Sequence, residues 1–324
     1  MNTSIKYHSI EKFTTETGVL YDEIELSYEL FGQELHTAPV VLVNHALTGN
    51  SDVASPHAGW WNTVVCKGGL INTDIYTVIG FNIPGNGFDK KPGNLIDNYK
   101  DFTARDIGRL FGQALYDLGI SSLHAMIGGS LGGGIAWEIA VLYPDLAKYL
   151  IPIASDWKAA DWILAHNKVQ EQILLNSTKP IHDARMMAML FYRTAASFKG
   201  KFNRSVNEDL GIPNVESWLL HHGFQLENRF HLKSYKLVNH LLSTLDISRD
   251  RVSFEAVAPL IKAKIVQIGI DSDFFFVPQE NIETKNILDS LEIESTYKEI
   301  KSIHGHDGFL VENDQLKELL KDYF

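Results

Sequence analysis

Hydrophobic and polar residues alternate along the chain in two rhythms. Short, mostly apolar runs at Val40-Val41-Leu42-Val43, over 76–81, over 123–127 and at Leu150-Ile151-Pro152-Ile153 have the pattern of strands covered on both faces, as a parallel sheet requires. Between them, apolar positions recur at helical spacing over 102–118 and 133–143, and Pro144 ends the second helix. Ahead of these runs, residues 23–30 alternate apolar and polar with the period of a half-exposed strand, predicting an antiparallel entry to the sheet. Strands that alternate with helices imply a doubly wound α/β sheet.

From about 156 to 250 the alternation gives way to helical stretches over 158–176, 183–197, 214–224 and 231–245, and the strand pattern resumes at Ala263. Helices inserted at this point sit over the C-terminal ends of the strands. The pattern therefore predicts a core domain of residues 1–155 and 251–324, interrupted by a helical cap of residues 156–250.

The apolar run 123–127 leads directly into Gly128-Gly129-Ser130-Leu131-Gly132. A serine between glycines at a strand-to-helix turn is a nucleophile elbow: the turn is tight enough that flanking Cβ atoms collide with backbone, and the strain lifts the hydroxyl above the sheet. Ser130 is the candidate nucleophile. A second run, Lys264 to Ile270, opens into Asp271-Ser272-Asp273, and a third, Ser295 to Ile300, is followed by His304-Gly305-His306-Asp307. Serine, acid and histidine thus follow strands in the order the α/β-hydrolase fold uses. A serine hydroxyl needs a histidine to take its proton and a carboxylate to hold the imidazole. Ser130, His306 and Asp273 fill these roles, with Asp271 the rival acid and His304 the rival base. The oxyanion formed on attack needs two backbone N–H donors. One is Leu131, after the nucleophile; the other comes from the loop Asn44-His45-Ala46-Leu47-Thr48-Gly49, at Leu47 or Ala46.

The 324 residues, 45% hydrophobic and 21% charged, build a full-sized core, and no apolar stretch reaches the length of a membrane span. The N-terminus lacks an apolar signal core, and the one cysteine, Cys66, fits a cytoplasmic chain without disulfides. A net charge of −11 opposes binding to nucleic acid or to an anionic membrane surface. The histidine pairs His221-His222 and His304/His306 lack a third metal ligand nearby, so no metal is expected.

Several segments together resemble the homoserine O-acetyltransferase family: the loop at 44–49, Gly59-Trp60-Trp61, the elbow, Ala184-Arg185-Met186-Met187-Ala188, Tyr192-Arg193-Thr194, Val215-Glu216-Ser217-Trp218-Leu219, Asn228-Arg229-Phe230, Ser272-Asp273 and Gly305-His306-Asp307-Gly308. The resemblance implies an α/β-hydrolase fold with a cap. It also implies acetyl transfer from acetyl-CoA, a co-substrate rather than a bound cofactor, to the hydroxyl of L-homoserine through acyl-Ser130, an early step of methionine synthesis. In that reading Arg185 holds the substrate carboxylate, Tyr192 lines the pocket, Asp307 receives the ammonium, and two copies pack through their caps. The alternatives are an esterase or thioesterase on the same scaffold, a succinyl-CoA donor, or serine as acceptor. Two segments depart from the family. Residues 82–94 replace a glycine-rich stretch at the border of the site, where Lys90-Lys91 either meets CoA phosphates or is simply solvated. Residues 155–161 replace small and hydroxylic residues.

Overall fold

The buried apolar runs pair into a single eight-stranded sheet. The computed structural model describes residues 4–324; Met1 to Thr3, on which the reading of the N-terminus partly rests, lie outside them. The strands are β1 (Lys6–Thr14), β2 (Leu20–Gly32), β3 (Val40–Asn44), β4 (Thr77–Phe81), β5 (Leu123–Gly129), β6 (Ala147–Ile153), β7 (Lys264–Ile270) and β8 (Ser295–Ile300). Their order across the sheet is β1-β2-β4-β3-β5-β6-β7-β8. β1 and β2 enter antiparallel, and the strands from β4 to β8 run parallel. The chain passes from β3 to β4 on one side, then returns to lay β5 on the other side of β3. The C-terminal ends of β3 and β5 therefore flank the switch point where ligands of open α/β sheets bind.

Both faces of the sheet are dry. Val40 and Leu42 join one apolar cluster and Val41 and Val43 the other, each fully or nearly fully buried. One cluster takes in Leu110, Phe111 and Ala114 of α1 (Ala104–Asp117) and Ile135, Ala136 and Ile139 of α2 (Leu131–Leu142). α1 opens on a capping box, in which Thr103 and Asp106 bond each other's backbone N–H. That box starts the helix two residues inside the stretch its apolar pattern predicts.

The insertion holds α3 (Asp161–Asn176), α4 (Pro180–Tyr192), α5 (Ala195–Phe202), α6 (Asn214–Glu227) and α7 (Leu232–Ser243). Its two ends lie side by side, since the Ala159 N–H donates to Leu245 O at 2.9 Å and the Ile247 N–H to Trp157 O at 3.2 Å. Leu237, Leu241 and Leu242 of α7 belong to the same apolar cluster as the sheet, so the helical layer is packed onto the core rather than hinged above it. The single helix expected over 183–197 is two. Arg193 and Thr194 are extended, and the Thr194 hydroxyl caps α5 by accepting the Ser197 N–H while donating to Ile303 O in the loop after β8. That break brings the end of α4 down onto the histidine loop.

Candidate active site

Ser130 follows β5 with φ 55° and ψ −125°, a left-handed backbone that only surrounding structure can enforce. A Cβ on Gly128 would approach the backbone of Gly132 to 2.6 Å, and one on Gly132 would approach His45 O to 2.7 Å. Glycine is therefore the only residue that fits at either position. The Ser130 N–H donates to Ile153 O at 2.9 Å, tying the elbow to the neighbouring strand.

Ser130 Oγ lies 2.9 Å from His306 Nε2, and His306 Nδ1 lies 2.7 Å from Asp273 Oδ2. All three side chains are buried. Asp273 Oδ1 accepts the N–H groups of Phe275 and Phe276 at 2.6 and 3.1 Å, so one oxygen is anchored to backbone and the other faces the imidazole. The rivals sit elsewhere. Asp271 accepts the Ser302 N–H at 2.9 Å near Lys301 on the exposed side, and His304 bonds the Ser197 hydroxyl at 2.9 Å. The rings of Tyr192, Phe275, Phe276 and Phe309 surround His306 at centroid distances of 5.0 to 5.8 Å. Such a jacket excludes water and strengthens each polar contact inside it.

Leu131 is the first residue of α2, so its N–H has no partner within the helix. Leu47 lies at the second position of a turn closed by the Gly49 N–H on Ala46 O at 2.9 Å, which leaves the Leu47 N–H outside that turn's hydrogen bond. Asn44 Nδ2 donates to Gly132 O at 3.2 Å, so the loop carrying Leu47 and the start of α2 are directly joined.

Above the histidine, Tyr192 is buried and its hydroxyl is pushed up to about 12, mainly by burial. The Arg185 guanidinium lies 5.7 Å from the Tyr192 ring centre, two helical turns back along α4. Asp307 follows His306 directly, and its Oδ2 accepts Arg193 Nε at 2.7 Å. Arg193 stands in the Tyr192-Arg193-Thr194 segment, yet the sequence assigns it no role; its function is visible only where the break after α4 meets the histidine loop. His222 on α6 is held down to about 4, first by burial and then by the charge of Arg185, so it faces this pocket neutral. From the loop between α6 and α7, Arg229 Nη1 donates to Thr48 O at 3.0 Å, linking the helical layer to the loop after β3.

The two departing segments have structural duties. Asn82 accepts the Ser51 N–H and Asn86 Nδ2, and donates to the hydroxyls of Ser27 and Ser51, at 2.8 to 3.0 Å. This buried net shapes the loop at 82–94. Lys91 pairs with Glu25 and rests 3.5 Å from the centre of the Tyr7 ring, so it is committed within the fold and not held out for phosphate. Asp156 is buried and accepts the Trp157 N–H, Asn281 Nδ2 and the Thr284 hydroxyl at 2.8 to 3.0 Å.

Burial pushes Asp156 up to about 7 against the pull of those donors. An acid raised above its unfolded value contributes stability that is full at low pH and is lost as pH rises through the folded value. Between pH 5 and 7, Asp156→Asn is therefore expected to gain about 1–2 kcal/mol relative to the unsubstituted protein in urea unfolding. A difference that stays constant with pH would mean that the carboxyl is ionised throughout.

The α/β-hydrolase fold model matches residues 39–235. The homoserine O-acetyltransferase of Cyclobacterium marinum is 30% identical, over 98% of this chain and 94% of its own length. The crystal structure of a homoserine O-acetyltransferase from Bacillus anthracis superposes with a TM-score of 0.88 at 19% identity, covering 99% of this chain and 97% of that one. Esterase E22 superposes equally well, with a TM-score of 0.88 at 18% identity over 99% of both chains, so at this distance the likeness carries the fold alone. Sequence identity over nearly the whole chain is the narrower guide, and by it the chain belongs to the homoserine O-acetyltransferase family of α/β-hydrolase-fold proteins.

Proposed function

We propose that the protein moves an acetyl group from acetyl-CoA to the hydroxyl of L-homoserine by a ping-pong route through acetyl-Ser130, early in methionine synthesis. The observation that carries this reading is the setting of two opposite charges around one acyl-transfer centre. Arg185 and Asp307 flank Tyr192, whose ring lies 5.5 Å from that of His306. A free amino acid presents a carboxylate and an ammonium at fixed separation. A guanidinium receives the first through paired hydrogen bonds and a carboxylate receives the second. Arg193 occupies Oδ2 of Asp307, which leaves Oδ1 for the ammonium.

In the first half-reaction His306 Nε2 takes the Ser130 proton as Oγ attacks the thioester carbon. The oxyanion rests on the N–H groups of Leu47 and Leu131, the C–S bond breaks, and the CoA thiolate leaves with the proton from His306. In the second, the homoserine hydroxyl gives its proton to His306 and attacks the acetyl carbon, and Ser130 recovers the proton as the ester leaves. Transfer must outrun hydrolysis, which the aromatic jacket and an acceptor held at high effective concentration favour.

CoA release from acetyl-CoA, with and without L-homoserine, tests the reading when O-acetylhomoserine is followed by mass spectrometry. Homoserine-dependent release with product is expected. Release of acetate regardless of homoserine would make the protein a hydrolase, and no release would point to another donor such as succinyl-CoA. Asp307→Asn is expected to raise KM for homoserine by about 10- to 100-fold, the worth of one charge-assisted hydrogen bond, while acylation by acetyl-CoA stays near its original rate. Equal loss in both half-reactions would remove Asp307 from the acceptor site. The same reading carries a homodimer joined through cap helices, in a cytoplasmic protein. Leu164, Val169, Leu175 and Leu190, exposed on α3 and α4, support the contact, and light scattering and cell fractionation test the two statements.

A further inference from the structure

One buried imidazole beside the site takes no part in the proton transfers above. His45 is 2% exposed. Its Nε2 accepts the Ile83 N–H at 3.1 Å, and its Nδ1 lies 2.7 Å from Ala46 O. A ring nitrogen that accepts a backbone N–H carries no proton, so the proton sits on Nδ1 and is donated to Ala46. Burial holds the ring down to about 4, and protonating it would set an Nε2–H against the Ile83 N–H. The neutral tautomer is therefore fixed.

Ala46 O accepts a second donor, the Gly49 N–H, at 2.9 Å. In a planar trans peptide the C=O of Ala46 and the N–H of Leu47 point in opposite directions. Clamping the oxygen from two sides thus sets the bearing of the Leu47 N–H. Gly132 lies against the backbone of the same histidine, so this peptide and the start of α2 share one support. Through Ile83 the ring also joins the loop after β3 to the loop at 82–94, where this chain departs from its family.

We propose that His45 is a positioning residue for the oxyanion site, fixing the Ala46–Leu47 peptide so that the Leu47 N–H is aimed in advance at the acyl oxygen. The proposal rests on Leu47 as an oxyanion donor; it does not rest on homoserine as the acceptor. An N–H that is present but misdirected is worth less than one in place, and outright loss of such a donor costs about 100- to 1000-fold.

Substitutions separate the ring's two hydrogen bonds. His45→Asn brings an amide N–H near the place of Nδ1 and keeps the donor to Ala46. His45→Gln brings an amide oxygen near the place of Nε2 and keeps only the acceptor for Ile83. His45→Ala keeps neither. Hydrolysis of p-nitrophenyl acetate reads the acyl-serine chemistry without homoserine. Expected are losses of about 10- to 100-fold in kcat/KM for the Ala and Gln proteins, carried by kcat with KM little changed, and recovery to within about threefold of the parent for Asn. The affinity of a boronic acid, whose tetrahedral adduct on Ser130 places an oxygen in the oxyanion position, should fall by the same factor in each variant. Equal impairment of the Asn and Gln proteins would overturn the proposal, as would unchanged boronate affinity alongside a lost rate, or full activity throughout. If His45→Ala does not fold, the Asn and Gln pair decides alone, since each retains one of the two bonds. Failure of a fluorophosphonate to label Ser130 in the unsubstituted protein would instead remove the acyl-serine reading itself, an outcome distinct from any of these.

Discussion

Ser130→Ala is expected to lower kcat/KM for acetyl transfer by about 10⁴- to 10⁶-fold and to abolish the acetylated protein seen by intact-mass spectrometry after exposure to acetyl-CoA. The size of the effect follows from the geometry. The hydroxyl is the one group held 2.9 Å from His306 Nε2, and a methyl there leaves the imidazole with no proton to take. The rate that survives is what acyl binding and two backbone donors achieve with water. The backbone at φ 55° is strained for alanine as for serine, so Tm should stay within a few degrees. An acetyl group retained at another residue would sink the assignment of Ser130.

Asp273→Asn should cost about 10⁴-fold in turnover with the fold intact. Oδ1 of Asp273 accepts two backbone N–H groups, from Phe275 and Phe276, so an asparagine must keep its carbonyl oxygen there and turn its NH₂ toward His306. That NH₂ donates to Nδ1, which drives the ring proton to Nε2. An Nε2–H faces the Ser130 hydroxyl and cannot act as its base. The burst of p-nitrophenol on mixing with p-nitrophenyl acetate should disappear on the time scale where the unsubstituted protein completes it. A loss of tenfold or less would show that Asp273 steadies the loop without setting the tautomer. The carboxylate side chain is fully buried, so urea unfolding of the variant provides the control for stability.

Much of the core is legible in the order of residues because each signal is local. The run at 40–43 is apolar at every position and that at 123–127 at all but His124, the pattern of strands covered on both faces, and both are strands of the central sheet. The elbow is legible because a serine set among glycines directly after an apolar run is a pattern of adjacent residues, although Gly132 is demanded by the distant backbone of Asn44 and His45. β1 is not. Of its nine residues only Ile10 and Phe13 are buried, so an edge strand reads as a polar segment until β2 is there to pair with it. The break between α4 and α5 is likewise hidden, since residues 183–197 have helical spacing throughout. What splits them is Thr194, bonded across more than a hundred residues to Ile303.

Residue types and spacing by themselves determined the class of sheet, the elbow, and the three side chains that could form an acyl-transfer centre, because an apolar run, a glycine-flanked serine directly after it, and an acid or histidine just past a strand are patterns of adjacent residues. The sequence favoured Asp273 over Asp271 and His306 over His304, and the tertiary structure brings Asp273 and His306, and not their rivals, to Ser130. Both members of each pair follow the same strand two residues apart, and which one turns inward depends on the backbone of distant segments. Only the tertiary structure decided that Lys91 belongs to Glu25, that Arg193 holds Asp307, and that His45 braces the loop carrying Leu47. Each of these contacts joins parts of the chain through space or through a peptide's orientation, and neither is written in the spacing of residues.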